Sequence, residues 1–103
     1  MEHPLTKVEA VRAIRRIAGL VGGFTPRAYC RKRMAQRRFD DLDVVRVLRN
    51  AKLVGSAYRR GGEWRYRVRE RPGNAPPERQ DVHVVVVIDT DVHLFGQTVY
   101  RRT

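Results

Sequence analysis

Apolar residues return at a helical interval along the N-terminal stretch. Val8, Val11, Ile14, Ile17 and Val21 fall three or four positions apart, so one face of a helix collects them. Thr6 and Glu9 have the spacing of a capping box, in which each side chain accepts from the other residue's backbone N–H. A first helix is predicted from about Lys7 to Leu20, interrupted at Gly19, Gly22 and Gly23. Phe24 then precedes Thr25 and Pro26, a cap followed by a proline suited to the first helical position, so a second helix is predicted to open at Pro26. Cys30 and Met34 mark its apolar stripe, and Phe39 and Asp40 break it. Asp40 or Asp41 can cap a third helix, whose Val44, Val45, Val47 and Leu48 form an apolar surface before Asn50.

From Leu53 onward the pattern becomes extended, with β-branched and aromatic residues punctuated by turn residues. Gly61 and Gly62 centre a hairpin. In its second arm Trp64, Tyr66 and Val68 alternate with Arg65, Arg67 and Arg69, giving one apolar face and one arginine ladder. Pro72 to Gln80, which includes Gly73 and Asn74, reads as an exposed loop of about nine residues. Val82 to Asp89 is apolar on both faces over its centre, as expected of an inner strand. A turn at Thr90 and Asp91 would return the chain through Val92 to Tyr100, setting His83 opposite Thr98 and diagonal to Tyr100 on one side of the sheet. The fold class expected is α+β, with N-terminal helices packed on a mainly antiparallel sheet of about four strands.

The chain has 103 residues, room for one domain and a modest core. Its 22 Lys and Arg against 11 Asp and Glu give a formal charge of +11, with lysine only at Lys7, Lys32 and Lys52. Such a surface attracts phosphate polymers, acidic proteins or anionic lipid, and the arginine fork can engage a phosphate bidentately. The plain alternative is that the arginine abundance reflects a coding bias of the source genome. Cys30 is the sole cysteine, which rules out an internal disulfide and a cysteine zinc cluster; beside Met34 it reads as a small core residue. No apolar stretch suits a signal peptide, and Val84 to Ile88 is far too short to span a bilayer, so a cytoplasmic protein without membrane partners is the expectation.

At about 100° per residue, Tyr29, Arg33 and Arg37 fall within about 80° of one another beside the Cys30 and Met34 stripe. Arg31, Lys32 and Arg38 point elsewhere; with Arg65, Arg67 and Arg69 they are candidate contacts to a nucleic-acid backbone, though solvation alone would also account for them. His3, His83 and His93 lack ligand spacing, so no metal or other cofactor is expected. The glycines from Gly19 to Gly23 follow a helix and lack the strand-to-helix setting of a phosphate loop. No carboxylate pair suits hydrolysis, and the lone serine is Ser56.

The segment FTPRAYCRKRMAQRRFDDLDVVRVLRNAKLV, followed by WRYRV and DVHVVVVIDTDVHLFGQTVY, resembles a family of small bacterial domains of unassigned function. The shared features are a helix with an arginine and methionine motif, an Arg-rich corner, an Asp-Val helix and a closing strand ending in Val-Tyr. The likeness covers residues 24–100, with residues 1–23 as an added helix, and the family looks related to the RelE and BrnT toxins. That relation implies a helix-and-sheet fold that cleaves RNA without a metal and is neutralised by an antitoxin. The helix motif maps onto Tyr29, Arg33, Met34 and Arg37. Relatives commonly place a histidine where this chain has Tyr29, so a proton acceptor there is changed or lost.

Metal-free RNA cleavage needs a base for the 2′ hydroxyl, cations for the phosphorane and an acid for the leaving oxygen. Arg33 and Arg37 are candidates for the cations, and His83, Tyr29 or Tyr100 for proton transfer. Ion pairs of Arg33 and Arg37 with Asp40, Asp41 or Asp43 are the plain alternative, as are a structural role for His83 and core covering for Tyr100. Three expectations follow: a toxin-type RNA-directed protein, with RNA or the ribosome as partner and an antitoxin or other acidic protein as a further one; a non-enzymatic basic module for nucleic acid or an acidic protein; and a phage or mobile-element protein that caps an acidic host complex. Oligomeric state is open.

Overall fold

The computed structural model describes residues 3–73 and 75–102. Asn74, which the sequence places in the proline-rich loop, lies outside the described residues. In chain order the elements are α1 (Lys7–Ala18), β1 (Phe24–Pro26), α2 (Ala28–Gln36), α3 (Asp41–Arg49), β2 (Ala51–Leu53), β3 (Tyr58–Arg60), β4 (Glu63–Glu70), a 3₁₀ turn (Pro77–Arg79), β5 (Val82–Thr90) and β6 (His93–Arg101). The fold is α+β. Among the described residues there are three α-helices and a six-stranded sheet, two strands more than the pattern predicts. The main path runs β1-β6-β5-β4-β2, and β3 pairs with β4. All pairings are antiparallel except that of β1 with β6.

Local chemistry explains most boundaries. Thr6 and Glu9 form the expected box at the start of α1, and Asp40 and Asp43 form another at α3. Removing such a cap costs about 1 kcal/mol. α1 stops at Ala18, with Gly19 as its C-cap, short of the expected Leu20. Gly61 and Gly62 have φ of 61° and 78°, the left-handed pair that a two-residue hairpin turn requires. No helix among the described residues is long and apolar enough to cross a membrane.

The second helix departs from expectation at both ends. Phe24–Pro26 is a strand, and α2 opens at Ala28, with Arg27 as an N-cap whose side chain makes no capping hydrogen bond. Thr25 cannot cap because its hydroxyl lies 2.8 Å from His93 Nε2, across the β1–β6 pairing. At the other end α2 stops at Gln36, and Arg38 takes a φ of 58°. Arg37 is thus the C-cap of the helix, where the helical wheel had placed it on a continuous stripe.

All three helices bury their apolar stripes in one cluster. Ala10, Ile14 and Ile17, Cys30 and Met34, and Val44, Val47 and Leu48 meet Tyr66, Val68, Val82, Val84, Val86, Leu94 and Val99. Each fully buried Val, Leu or Ile contributes about 1.5–3 kcal/mol. α1, expected as an addition, is therefore part of the single core. Because strand side chains alternate, the helices cover one face of the sheet and leave the other without a helical layer.

The proline-rich segment is less exposed than its composition suggests. Ala75 is buried, and Arg79 Nε donates to Glu70 at 2.9 Å, where the Glu70 side chain is 1% exposed. Buried carboxylates persist only when paired, so this bond fixes the segment against β4.

Candidate functional site

The uncovered sheet face is built in rungs. β4 supplies Arg65, Arg67 and Arg69, because Tyr66 and Val68 between them face the core. In the pairing with β5, Arg67 stands opposite Val85 and Arg69 opposite His83. β6 continues the rungs, with Val85 opposite Thr98 and His83 opposite Tyr100. Lys52 of β2 stands on the other side of Arg69, and Tyr58 of β3 beside Arg65. One rung therefore reads Lys52, Arg69, His83, Tyr100.

The β5–β6 register corrects the expected one. The hairpin turn is Asp91 and Val92, since Thr90 pairs with His93, and the Val92 N–H donates to Thr90 Oγ1 at 3.2 Å. His83 therefore faces Tyr100 directly, whereas the sequence set it opposite Thr98. A shift by two residues keeps side-chain parity, so the predicted neighbours still share a face. Their ring centroids are 5.3 Å apart, tilted by 39°.

A bulge interrupts β6 at Gln97. Val86 pairs with Gly96 and Val85 with Thr98, so Gln97 has no partner across the ladder and its side chain is re-aimed. Gly96 is required here for a second reason. A Cβ on it would come within 2.7 Å of the Phe24 ring and 3.0 Å of Cys30 Sγ, so only glycine lets α2 lie this close to β6. That approach brings Tyr29 over the edge of the open face, where it borders a pocket with Arg60, Arg65 and Gln97.

The expected catalytic group is thereby divided. Arg33 Nε donates to Tyr29 Oη at 2.9 Å, and its guanidinium lies 5.1 Å from the Tyr29 ring centroid. Arg37 lies elsewhere, in a cleft with Arg38, Phe39, Asp43, Arg46, Glu78, Arg79 and Arg101. His83 and Tyr100 form the third part. Tyr100 lies three residues along β6 from Gln97, about 10 Å at the usual rise, beyond hydrogen-bond reach of the Tyr29 pocket. The alternative of ion pairs for Arg33 and Arg37 is not what the side chains do: among the described residues neither forms one. Arg31 instead approaches Asp41 at 4.0 Å, an exposed contact of little energetic weight, and Lys32 is exposed.

The electrostatics of the face are one-sided. Burial, then Arg69, Arg102 and Arg67, hold the His83 imidazole below its ordinary pKa, with Asp81 opposing. His83 is 3% exposed, and its Nδ1 has no hydrogen-bond partner. Arg65, Arg67 and Arg69 each bury an unpartnered Nε, and Gln97 an unpartnered Nε2. Nearby carboxylates are engaged: Glu63 accepts two bonds of 2.7 Å from Arg27, which stacks 4.3 Å from the Phe95 centroid, and Asp89 Oδ2 lies 3.0 Å from His93 Nδ1. Burial likewise pushes the Cys30 thiol up to about 11, as expected of a core residue. Among the described residues no group of three His, Cys, Asp or Glu could hold a metal ion.

Sequence reasoning missed Arg60 and Gln97 at the Tyr29 pocket, and the Asp89–His93–Thr25 tie. The glycine inside the strand pattern Leu94 to Tyr100 was the available signal for the bulge.

No curated protein and no solved structure matches the chain. One family does, a domain of unknown function designated DUF4258, and the match spans residues 28–101, from the start of α2 to the end of β6. These residues are well over half of the 103 and include the arginine ladder, His83, Tyr100 and the bulge, so the chain belongs to the DUF4258 family.

Proposed function

We propose that the open sheet face binds single-stranded RNA along its phosphodiester backbone, and that the chain is an RNA-directed protein of the toxin type. One observation carries this reading. Every buried side-chain nitrogen without a hydrogen-bond partner among the described residues lies on this face: Nε of Arg65, Arg67 and Arg69, Nδ1 of His83 and Nε2 of Gln97. Unpartnered buried polar atoms cost free energy, and a bound strand that re-orients these side chains would pair them with its phosphate oxygens. Tyr58, with Arg67 5.8 Å from its ring centroid, and Tyr100 add aromatic surface on which bases can stack. The resemblance to RelE and BrnT toxins points the same way. The test is binding of the purified chain to a single-stranded RNA: affinity should fall when Arg67 and Arg69 are changed to Ala. Unchanged affinity would reject the reading and leave an acidic partner protein, an antitoxin included, as the partner of these cations.

A cleavage activity without a metal is favoured by the Arg69–His83–Tyr100 rung. An imidazole held neutral near pH 7 is a competent proton acceptor, with Arg69 beside it to stabilise a phosphorane and Tyr100 opposite as a proton donor. Induced expression of the wild-type chain should then degrade cellular RNA, whereas His83→Gln should bind RNA without cutting it. Intact RNA after wild-type expression would leave a binding module alone.

A further inference from the structure

The pocket bordered by Tyr29, Arg60, Arg65 and Gln97 faces its occupant with donors. Arg65 Nε and Gln97 Nε2 are buried without partners, and Arg60 makes no ion pair among the described residues. Tyr29 Oη already accepts from Arg33 Nε at 2.9 Å, so its own proton is left to donate. The one carboxylate in register with Arg60, that of Glu63, is held by two bonds from Arg27. The cavity is about 430 Å³, within the size range of small-ligand sites. Its construction depends on two features of β6, the bulge that re-aims Gln97 and the glycine that admits α2.

We propose that this pocket binds a phosphate monoester with its attached nucleoside, as at the end of an RNA strand. An internal phosphodiester offers two non-bridging oxygens and a single charge. A monoester offers three acceptor oxygens and about −1.5 to −2 charge at pH 7. Two arginines, an amide and a phenol match the second inventory. The guanidinium forks of Arg60 and Arg65 offset the two charges, and Gln97 and Tyr29 fix the remaining oxygen and the orientation. The exposed ring of Tyr29 offers a surface against which the base of the attached nucleoside would stack. The proposal rests on the RNA-directed reading of this face and adds recognition of a strand end.

The test uses the full chain and single-stranded oligouridylates carrying a 5′-phosphate, a 3′-phosphate or hydroxyls at both ends, with uridine monophosphate and inorganic phosphate as separate arms. Affinity is read by fluorescence anisotropy for the oligomers, and the Gln97 side-chain amide is followed by NMR for all ligands. One of the phosphorylated oligomers should bind about tenfold or more tightly than the hydroxyl-ended one, and should shift the Gln97 amide. Gln97→Glu and Tyr29→Phe should each reduce that preference, whereas Arg69→Ala should weaken all oligomers alike. Tyr29 is 54% exposed, so its variant folds and keeps the test decisive. Equal affinity for all three oligomers overturns the pocket and leaves the backbone-binding reading intact. Failure of every oligomer together with a Gln97 shift on adding uridine monophosphate keeps the pocket, assigns it to free nucleotides and overturns the RNA reading. A shift with inorganic phosphate alone overturns the nucleoside part of the proposal.

Discussion

Cys30 and His83 are titratable side chains whose pKa values burial shifts in opposite directions. The thiol is fully buried beside Gly96, with its pKa pushed up to about 11. A thiolate is the reactive form, so alkylation of the folded chain is expected to be far slower than of the chain in denaturant, measured by mass after timed exposure to iodoacetamide. The unfolded thiol ionises near 9.0 and the folded one near 11, so Cys30's contribution is complete below 9.0 and is lost as pH rises through that interval. For His83 the sign is opposite. The folded imidazole resists protonation, while the unfolded one takes a proton near 6.5. Stability is therefore fully present above about 6.5 and declines as pH falls, until the folded imidazole is protonated too. Urea midpoints at pH 7.5 and pH 5.5 should differ less in His83→Asn than in the wild type; an equal difference would mean that other groups dominate. That His83 shares a side of the sheet with Tyr100 was legible in the parity of the expected β5–β6 hairpin. Its depressed pKa was not, because burial within the folded sheet causes it first, followed by Arg69 and Arg67 of β4 and Arg102 just past β6.

At the level of elements, the decisive contact is α2 against β6. Phe24, Cys30 and the backbone of Gly96 interlock there, and the Arg27 N–H donates to the Gly96 carbonyl at 2.9 Å. Gly96→Ala is expected to cost about 1–3 kcal/mol in urea unfolding, the usual range for overpacking, and to displace Tyr29 from Gln97. A variant as stable as the wild type would show that α2 shifts without penalty. The helices themselves were legible in the sequence, since Thr6 with Glu9 and Asp40 with Asp43 are local signals within one turn. The end of α2 was not. Its basic run continues past Gln36 with no residue that forbids a helix, yet Arg38 turns left-handed so that Phe39 can pack on the core. That single turn separates Arg37 from Tyr29 and Arg33. β1 escaped notice for a related reason: three residues carry too little pattern, and only pairing with β6 makes them a strand.

Across the whole molecule the charge is arranged, not merely abundant. Acidic residues are used in helix caps at Glu9, Asp40 and Asp43, and in pairs at Glu63, Glu70, Asp81 and Asp89. The register partners of the ladder are Tyr58, Val85, His83 and Lys52, with no acid among them. RNA binding should accordingly weaken steeply with salt, by a log–log slope of about 0.7 for each neutralised phosphate of a single strand. Replacing Arg65, Arg67 and Arg69 by Ala together should lower that slope by about two, read from anisotropy titrations over a salt series. A slope unchanged by the triple substitution would place the contact elsewhere. The sequence alone determined the starts of α1 and α3, the Gly61–Gly62 hairpin, the alternation that puts three arginines on one sheet face, and the parity that puts His83 and Tyr100 on one side. Each of these depends on spacing within a few residues, where backbone geometry is fixed. Tertiary structure alone decided the bulge at Gln97, the pairing of β1, the departure of Arg37 and the assembly of Tyr29 with Arg60, Arg65 and Gln97. Those depend on how closely segments far apart in the chain can pack, and that distance was set by the missing side chain of Gly96.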